Sequence, residues 1–274
     1  MTSRDYHPDM PSTREAPPAG RLLREWRVRR HLSQLDLAAE AGISTRHLSF
    51  IETGRSQPSR EMVLHLGEHL EIPLRERNAL LTAAGYAPLY RESELDAPDM
   101  QPVRDAIDSI LRAHEPYPAL VVDRTWSLVA ANTTVQVLMQ GIAPHLLEPP
   151  INVMRASLHP EGLAPAIRNF EQWASHLLTR LDRQVLLSGD ADVARLLEEL
   201  RGYPDVPTRA TFPELEGAEK VFVPLRLAAP DGVTLTFFST VTTFGTALDV
   251  TLAELSIESF FPADAATAEA LRRS

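Results

Sequence analysis

Cysteine is absent from this chain of 274 residues. Disulfide bonds, thiolate metal sites and cysteine nucleophiles are therefore excluded together. Long apolar runs are missing as well, since no segment approaches the length that crosses a bilayer and the N-terminus lacks the apolar core of a signal peptide. We therefore expect no membrane partner, and a cytoplasmic location fits the composition.

Catalytic signatures are missing too. The nucleophile motif GxSxG and the phosphate-binding motifs GxGxxG and GxxxxGK[ST] do not occur. His65 and His69 have a spacing that can chelate a metal, but no third ligand accompanies them, so we expect no metal site. Pairs of acidic residues further along the chain are typical of solvated surface charge and do not indicate a catalytic acid and base. An enzyme is the least favoured class of protein, and no cofactor is required.

Charge is unevenly distributed along the chain. The composition, with 44% hydrophobic and 23% charged residues and a net charge of -10, is typical of a globular protein. Residues 20–90 hold ten arginines and eight acidic residues, whereas residues 91–274 hold fifteen basic and twenty-six acidic residues. We therefore expect two domains, of which only the first suits a polyanion.

The boundaries follow from composition and pattern. We expect a disordered N-terminal tail over residues 1–19, a helical domain over 20–90 and a polar linker over 91–100. A second domain is expected over 101–265, followed by a C-terminal tail over 266–274. The predicted fold class is an all-α five-helix domain followed by an α+β domain.

The first helical segment is GRLLREWRVRRHL. Leu22, Leu23 and Trp26 lie on one side of it at helical spacing, and arginines that include Arg27 and Arg29 fill much of the rest. This pattern predicts a helix with a basic exposed face.

Two short helices follow, joined by a tight turn. Ser33 is expected to cap the first of them, whose Leu35 and Ala38 face inward and which ends at Gly42. Packed on three other helices, such a pair presents its second helix outward, as insertion into a major groove requires. A five-helix bundle without this role is the alternative.

The stretch SQLDLAAEAGISTRHLSFIETGRSQPS resembles the Xre/Cro/C1-type helix-turn-helix family over residues 20–86. The matching positions are Gln34, Leu37, Ala38, Ala41, Gly42, Ile43, Ser44, Ile51, Glu52, Gly54 and Pro58. This resemblance implies double-stranded DNA as a partner. The implied DNA-contacting residues are Gln34, Ser44, Thr45, Arg46, His47, Ser49, Arg55 and Arg29.

Different roles are expected within this set. Arg46 is the candidate for guanine readout, because its planar fork can pair with O6 and N7 together, and a phosphate contact is the alternative. Arg55 and Arg29 are expected to contact the DNA backbone, while Glu52 is expected to be structural, bonding within the turn. One such unit contacts few base pairs, so a homodimer that binds half-sites about 34 Å apart is expected.

The second domain shows both kinds of periodicity. Helices are predicted in VRDAIDSILRAH, NTTVQVLMQGIA, LAPAIRNFEQWASHLLTRLD and VARLLEEL. Strands are predicted in PALVVD, SLVAAN, EKVFVPLRLAAP and GVTLTFFSTVTTF, the last two joined by a turn at 230–232, while LDVTLAELSIESFFP stays open as strand, helix or both. This order fits an α+β sensor module of PAS type.

Residues 100–265 resemble the MmyB-like ligand-binding domain that follows an Xre-type helix-turn-helix in many bacterial regulators. The resemblance lies in YPALVVDRTWSLVAAN, NVMRASLHPEGL, NFEQWASHLLTRLDRQ and FFSTVTTFGTALDVTLAELSIESFFP. It implies a small hydrophobic ligand, a fatty acid among the candidates, whose binding alters DNA binding. A dimerisation or protein-interaction module without a ligand is the other hypothesis.

Candidate ligand contacts can be named from residue chemistry. Arg155 and His159 lie four residues apart and could converge on a carboxylate, or each could pair with a surface carboxylate instead. Trp173 could form a pocket wall or belong to the core. The further candidate donors are Asn132, Asn152 and His176.

Overall fold

The computed structural model describes residues 19–207, 222–229 and 232–273. The chain divides into two compact units, Met1–Leu89 and Tyr90–Ser274, which are described separately below. None of the helices in the described ranges combines the length and the apolar character needed to span a bilayer.

Over residues 19–89 the first unit contains five helices, as predicted. They are α1 (Ala19–Arg29), α2 (Gln34–Glu40), α3 (Thr45–Glu52), α4 (Arg60–His69) and α5 (Leu74–Ala83). The hydroxyls of Ser33, Ser44 and Ser59 each accept a hydrogen bond from the backbone amide three residues later, which fixes the starts of three helices. The predicted tail over residues 1–19 lies outside the described residues apart from Ala19, where α1 begins.

Two expectations for this unit are wrong. Leu35 is 66% exposed, because Leu37 occupies the inward position of α2 and residues two apart lie on opposite sides of a helix. Arg27 is only 8% exposed and does not belong to the basic outer face. It lies where α1 packs closely on α3, an approach so tight that a Cβ atom at Gly20 would lie 2.1 Å from the carbonyl oxygen of Ile51.

In its described residues, the second unit is built on one antiparallel sheet of five strands in the order β2-β1-β5-β4-β3. The strands are β1 (Ala119–Val122), β2 (Leu128–Ala131), β3 (Leu225–Ala228), β4 (Thr234–Thr243) and β5 (Ser256–Pro262). The helices are α6 (Gln101–Ala113), α7 (Val153–Leu158), α8 (Phe170–Ser188), α9 (Ala191–Arg201), α10 (Val250–Ala253) and α11 (Ala265–Arg273). This architecture confirms the predicted α+β class.

The sheet packs on both faces. Side chains alternate between the two faces along a strand, so residues of β5 that are an odd number of positions apart contact different hydrophobic clusters. Ile257 packs with Ile107 and Leu111 of α6 on one face, whereas Phe260 packs with Leu120 and the residues of α8 and α9 on the other. The larger core of the second unit therefore lies between the sheet and α8.

Helix boundaries differ from the prediction near α8. The segment 163–182 was predicted as one helix, but Ala164–Ala166 forms a separate 3-10 turn and α8 begins at Phe170. The intervening backbone pairs with β3 instead, since the amide of Arg168 donates to the carbonyl oxygen of Arg226 at 2.8 Å. Tertiary pairing with a strand thus overrides local helical spacing.

Other differences concern the ends of elements. NTTVQVLMQGIA contains a 3-10 helix over Thr133–Val137 in place of the predicted α-helix, in keeping with the low helix propensity of its β-branched residues. LDVTLAELSIESFFP, for which strand, helix or both stayed open, contains both α10 and β5. The predicted C-terminal tail forms α11, whose Leu271 is 3% exposed and packs into the core. The predicted strand residues 219–221 and the turn residues Pro230 and Asp231 lie outside the described residues.

Candidate nucleic-acid interface and ligand cavity

Helix α3 presents a polar face to solvent. Its apolar residues Leu48 and Ile51 are buried in the five-helix core. The hydroxyl of Ser44 accepts the amide of His47 at 3.2 Å, which fixes the start of this helix. The N-cap residue Ser44 is exposed, and the predicted groove-facing residues of the helix are exposed or half-buried: Thr45, Arg46, His47 and Ser49.

Two exposed arginines lie beside one aromatic ring. The guanidinium carbons of Arg46 and Arg55 are 5.3 Å and 5.9 Å from the ring centroid of Phe50. Within the described residues, neither arginine forms an ion pair, so both charges are available to phosphate or base edges. The half-buried Phe50 is a residue that the sequence analysis missed, although it lies on α3 between the two arginines.

A buried ionic network joins the first three helices. The Arg27 guanidinium donates from Nε to Glu52 Oε1 at 2.6 Å and from Nη2 to Oε2 at 2.9 Å. This hydrogen-bonded pairing with Glu52 raises the pKa of Arg27. Gln34 donates from Nε2 to Glu52 Oε2 at 2.7 Å. Glu52 is therefore structural, as expected, but it bridges helices instead of bonding within the turn.

The other two predicted DNA-contacting residues of this unit, Gln34 and Arg29, lie on α2 and α1. The amide nitrogen of Gln34 is held by Glu52, which fixes the orientation of this half-buried side chain at the start of α2. Arg29 lies at the end of α1, with its guanidinium carbon 4.7 Å from the ring centroid of Trp26. Arg29 thus lies on a different helix from Arg46.

The second unit contains an apolar cavity between the sheet and α8. Its volume is about 70 Å³, well below the several hundred Å³ of sites for drug-sized ligands. The wall is almost entirely apolar, apart from the side chains of Ser157 and Glu258 and the indole nitrogen of Trp173. The lining residues are Leu120, Val135, Leu138, Met139, Ile142, Leu147, Ile151, Val153, Met154, Ala156, Ser157, Leu163, Trp173, Leu177, Leu225, Glu258 and Phe260.

Among the six residues predicted to contact a ligand, Trp173 borders this cavity. It is 4% exposed, and its indole nitrogen donates to Ser157 Oγ at 3.0 Å. His176 lies behind it, with ring centroids 5.5 Å apart. Burial lowers the pKa of His176, and the nearby charge of Arg180 lowers it further, which favours a neutral imidazole.

The two predicted asparagines hold the backbone. Asn132 accepts the amide of Ala119 at 3.0 Å and donates to the carbonyl oxygen of Tyr117 at 2.7 Å. Asn152 caps α7 by accepting the amide of Arg155 at 3.1 Å, and it donates to the carbonyl oxygen of Thr125 at 2.8 Å. Neither side chain is among those that line the cavity.

Arg155 and His159 do not converge on a shared position at the cavity. Arg155 makes two hydrogen bonds of 2.7 Å to the carboxylate of Glu199, which also accepts from the Tyr203 hydroxyl. This pairing lowers the pKa of Glu199, while burial and then Glu199 raise the pKa of Tyr203 to about 12. Arg155 therefore pairs with a surface carboxylate, which was the alternative to its role as a ligand anchor.

His159 belongs to a small group at the surface. Its Nδ1 accepts the amide of Glu161 at 3.1 Å, and its ring centroid is 5.7 Å from that of His145. One potential ligand atom from each of these three residues lies within 4.8 Å of the others. All three side chains are exposed or half-buried, and we assign no metal to them.

Glu258 is the buried charge at the cavity wall, and the sequence analysis missed it. It is 5% exposed and accepts at Oε1 from Arg180 Nη1 at 3.1 Å and from Ser239 Oγ at 2.9 Å. The signal that could have found it is an acidic residue two positions before Phe260 in the strand SIESFFP, where alternation places both on one face.

Comparisons with known proteins agree with these two units. A helix-turn-helix family model matches residues 23–77, and a model described as the MmyB-like transcription regulator ligand binding domain matches residues 103–273. Both describe domains of regulators rather than enzymes. No curated protein matches the chain.

One solved structure, titled "Structure of an RNA-binding Light-Oxygen-Voltage Receptor", is 14% identical and aligns over 92% of this chain. The alignment spans 60% of that structure's chain, and its TM-score of 0.25 is too low to support an argument.

The two matched domains describe a DNA-binding transcription regulator with a C-terminal ligand-binding domain. The second model covers more than half of the 274 residues. The chain therefore belongs to the family of MmyB-like transcription regulators.

Proposed function

We propose that this protein is a homodimeric, sequence-specific regulator that reads DNA with α3 and senses a small hydrophobic molecule in the cavity beside α8. DNA binding through α3 is supported by the outward polar face of this helix. Two arginines flank that face, and neither has an ion-pair partner in the described ranges. A regulator of genomic DNA works where that DNA is, so we place it in the cytoplasm.

Base readout and backbone contact are assigned to different helices. Arg46 lies near the start of α3, where side chains reach base edges in a helix-turn-helix complex. Gln34 and the remaining α3 residues position that helix against phosphate and neighbouring bases. Arg29 and Arg55 supply affinity that depends on salt but not on sequence.

We expect Arg46→Ala to abolish most sequence preference, with a loss of about 1–3 kcal/mol on the selected duplex and little change on random DNA. Arg29→Ala should weaken both duplexes equally and reduce the salt slope by about one. Selection from a random duplex library, followed by anisotropy titrations at several salt concentrations, measures both effects.

The two arginine variants are matched controls for each other, because each removes one positive charge from the same unit. Equal losses of preference in both variants would contradict the assignment of α3 as the reading helix.

The ligand part rests on the apolar wall of the cavity. A fatty acid or another acyl lipid is the class that the family resemblance implies, and an acyl chain suits a wall of leucine, isoleucine, valine and methionine side chains. The cavity must widen to admit a chain of more than a few carbons. The wall over residues 138–151 contains turns and irregular backbone, which can shift at lower cost than the sheet.

A second candidate keeps the DNA reading and makes the second unit a dimerisation or protein-interaction module without a ligand. The small volume of about 70 Å³ is the observation that favours it. Extraction of the purified protein followed by mass spectrometry separates the two candidates, since a stoichiometric apolar molecule supports the sensor.

A further inference from the structure

The polar end of the cavity is defined by a carboxylate. Glu258 and Phe260 lie on the same face of β5, toward α8, and both border the cavity. Glu258 is 5% exposed, so its charge is almost fully removed from bulk water. Any molecule that fills the cavity meets this group, and burying a carboxylate is costly unless its oxygens accept hydrogen bonds.

The hydrogen bonds of Glu258 are concentrated on one oxygen. Arg180 Nη1 and Ser239 Oγ both donate to Oε1, at 3.1 Å and 2.9 Å. Across the described residues, no hydrogen bond reaches Oε2. A carboxylate oxygen accepts hydrogen bonds but cannot donate them, so this atom can be satisfied by a donor that a ligand brings.

The ion pair between Arg180 and Glu258 involves Oε1, and among the described residues that line the cavity none is a cation. The Arg180 guanidinium packs over the ring of Trp126, at 4.2 Å from its centroid, and is not a lining residue. Ser157, the other polar lining side chain, accepts the indole N–H of Trp173 at 3.0 Å and is a neutral group, so it offers an anion at most one hydrogen bond and no charge. An anionic head group would therefore face a buried carboxylate without a lining cation.

We infer that the ligand carries a hydrogen-bond donor at its polar end, an alcohol, amide or ammonium group, and that Glu258 accepts it. This inference rests on the proposed function of the cavity as a ligand site. It narrows the acyl-lipid class to molecules whose polar end is not an ionised carboxylate.

Three probes with the same alkyl chain test the head group: 1-octanol, octylamine and octanoate, each titrated into the full-length protein at neutral pH. Calorimetry gives the affinities, and methyl NMR of the lining residues shows whether each probe occupies the cavity. We expect octanol and octylamine to bind about tenfold or more tightly than octanoate, because a hydrogen bond to a charged acceptor replaces like-charge repulsion.

Glu258→Gln keeps a carbonyl acceptor and removes the charge. It should weaken octylamine about tenfold, change octanol less and improve octanoate. Octanoate binding as tightly as octanol to the wild-type protein would overturn the inference, whether or not the variant folds, and would leave the ligand site standing. Failure of all three probes to bind would instead overturn the ligand part of the proposed function, and the inference with it.

Discussion

Replacing Glu52 with alanine should lower the free energy of unfolding of the first unit by about 3–5 kcal/mol. The substitution leaves the guanidinium of Arg27, which is 8% exposed, without its two hydrogen bonds to a carboxylate. It also removes the acceptor that holds the side-chain amide of Gln34. An uncompensated buried charge is one of the few single changes with an effect of this size.

Hydrogen exchange of the full-length protein, read by mass spectrometry on peptides from α1 to α5, measures this loss in the unit concerned. Glu68→Ala is the matched control, because Glu68 is an exposed glutamate on α4 and its removal should change stability by no more than about 0.5 kcal/mol. The double variant Arg27→Met with Glu52→Leu should recover most of the loss. A Glu52→Ala effect as small as that of the control would contradict this role of the network.

Trp173→Ala should cost the second unit about 3–5 kcal/mol, the range for removing a buried large aromatic side chain. Trp173 is 4% exposed, packs in the main core and donates its indole N–H to Ser157. Its removal both enlarges the cavity and leaves the hydroxyl of Ser157 without this donor.

Equilibrium unfolding in urea, followed by hydrogen exchange of α8 peptides, measures the effect. Leu186→Ala on the same helix is the control, since Leu186 is 50% exposed and should contribute about 0.5 kcal/mol or less. Trp173→Phe keeps most of the packing and should fall between the two. If Trp173→Ala and Leu186→Ala are equally mild, Trp173 is not part of a packed core.

Local signals predicted much of the fold. Ser33, Ser44 and Ser59 stand where hydroxyls cap helices, and apolar spacing located the five helices and four of the five strands. Apolar spacing did not predict the secondary structure of segments that are held by contacts with residues distant in sequence. The backbone at Arg168 pairs with β3, and α11 is held by the burial of Leu271, and neither partner lies nearby in sequence.

The candidate site was less predictable than the fold. Residue type suggested Arg155 and His159 as anchors, but Arg155 is engaged by Glu199, which lies 44 positions away on α9. The alternation in SIESFFP indicates that Glu258 shares a face with Phe260, but its place beside the cavity depends on the sheet order, which puts β5 at the centre, opposite α8. The DNA-facing residues were easier to locate, because they lie on one short helix whose outward face follows from its own spacing.

If the cavity is a sensor, its occupancy must change the affinity for DNA, and one titration tests this coupling directly. The affinity of the full-length protein for its selected duplex is measured by anisotropy with increasing 1-octanol, in the wild-type protein and in Ala156→Leu, which fills the cavity from α7. We expect octanol to change the wild-type Kd by about fivefold or more and to leave the variant unchanged. An unchanged wild-type Kd at an octanol concentration that saturates the cavity, as seen by methyl NMR, would contradict this coupling.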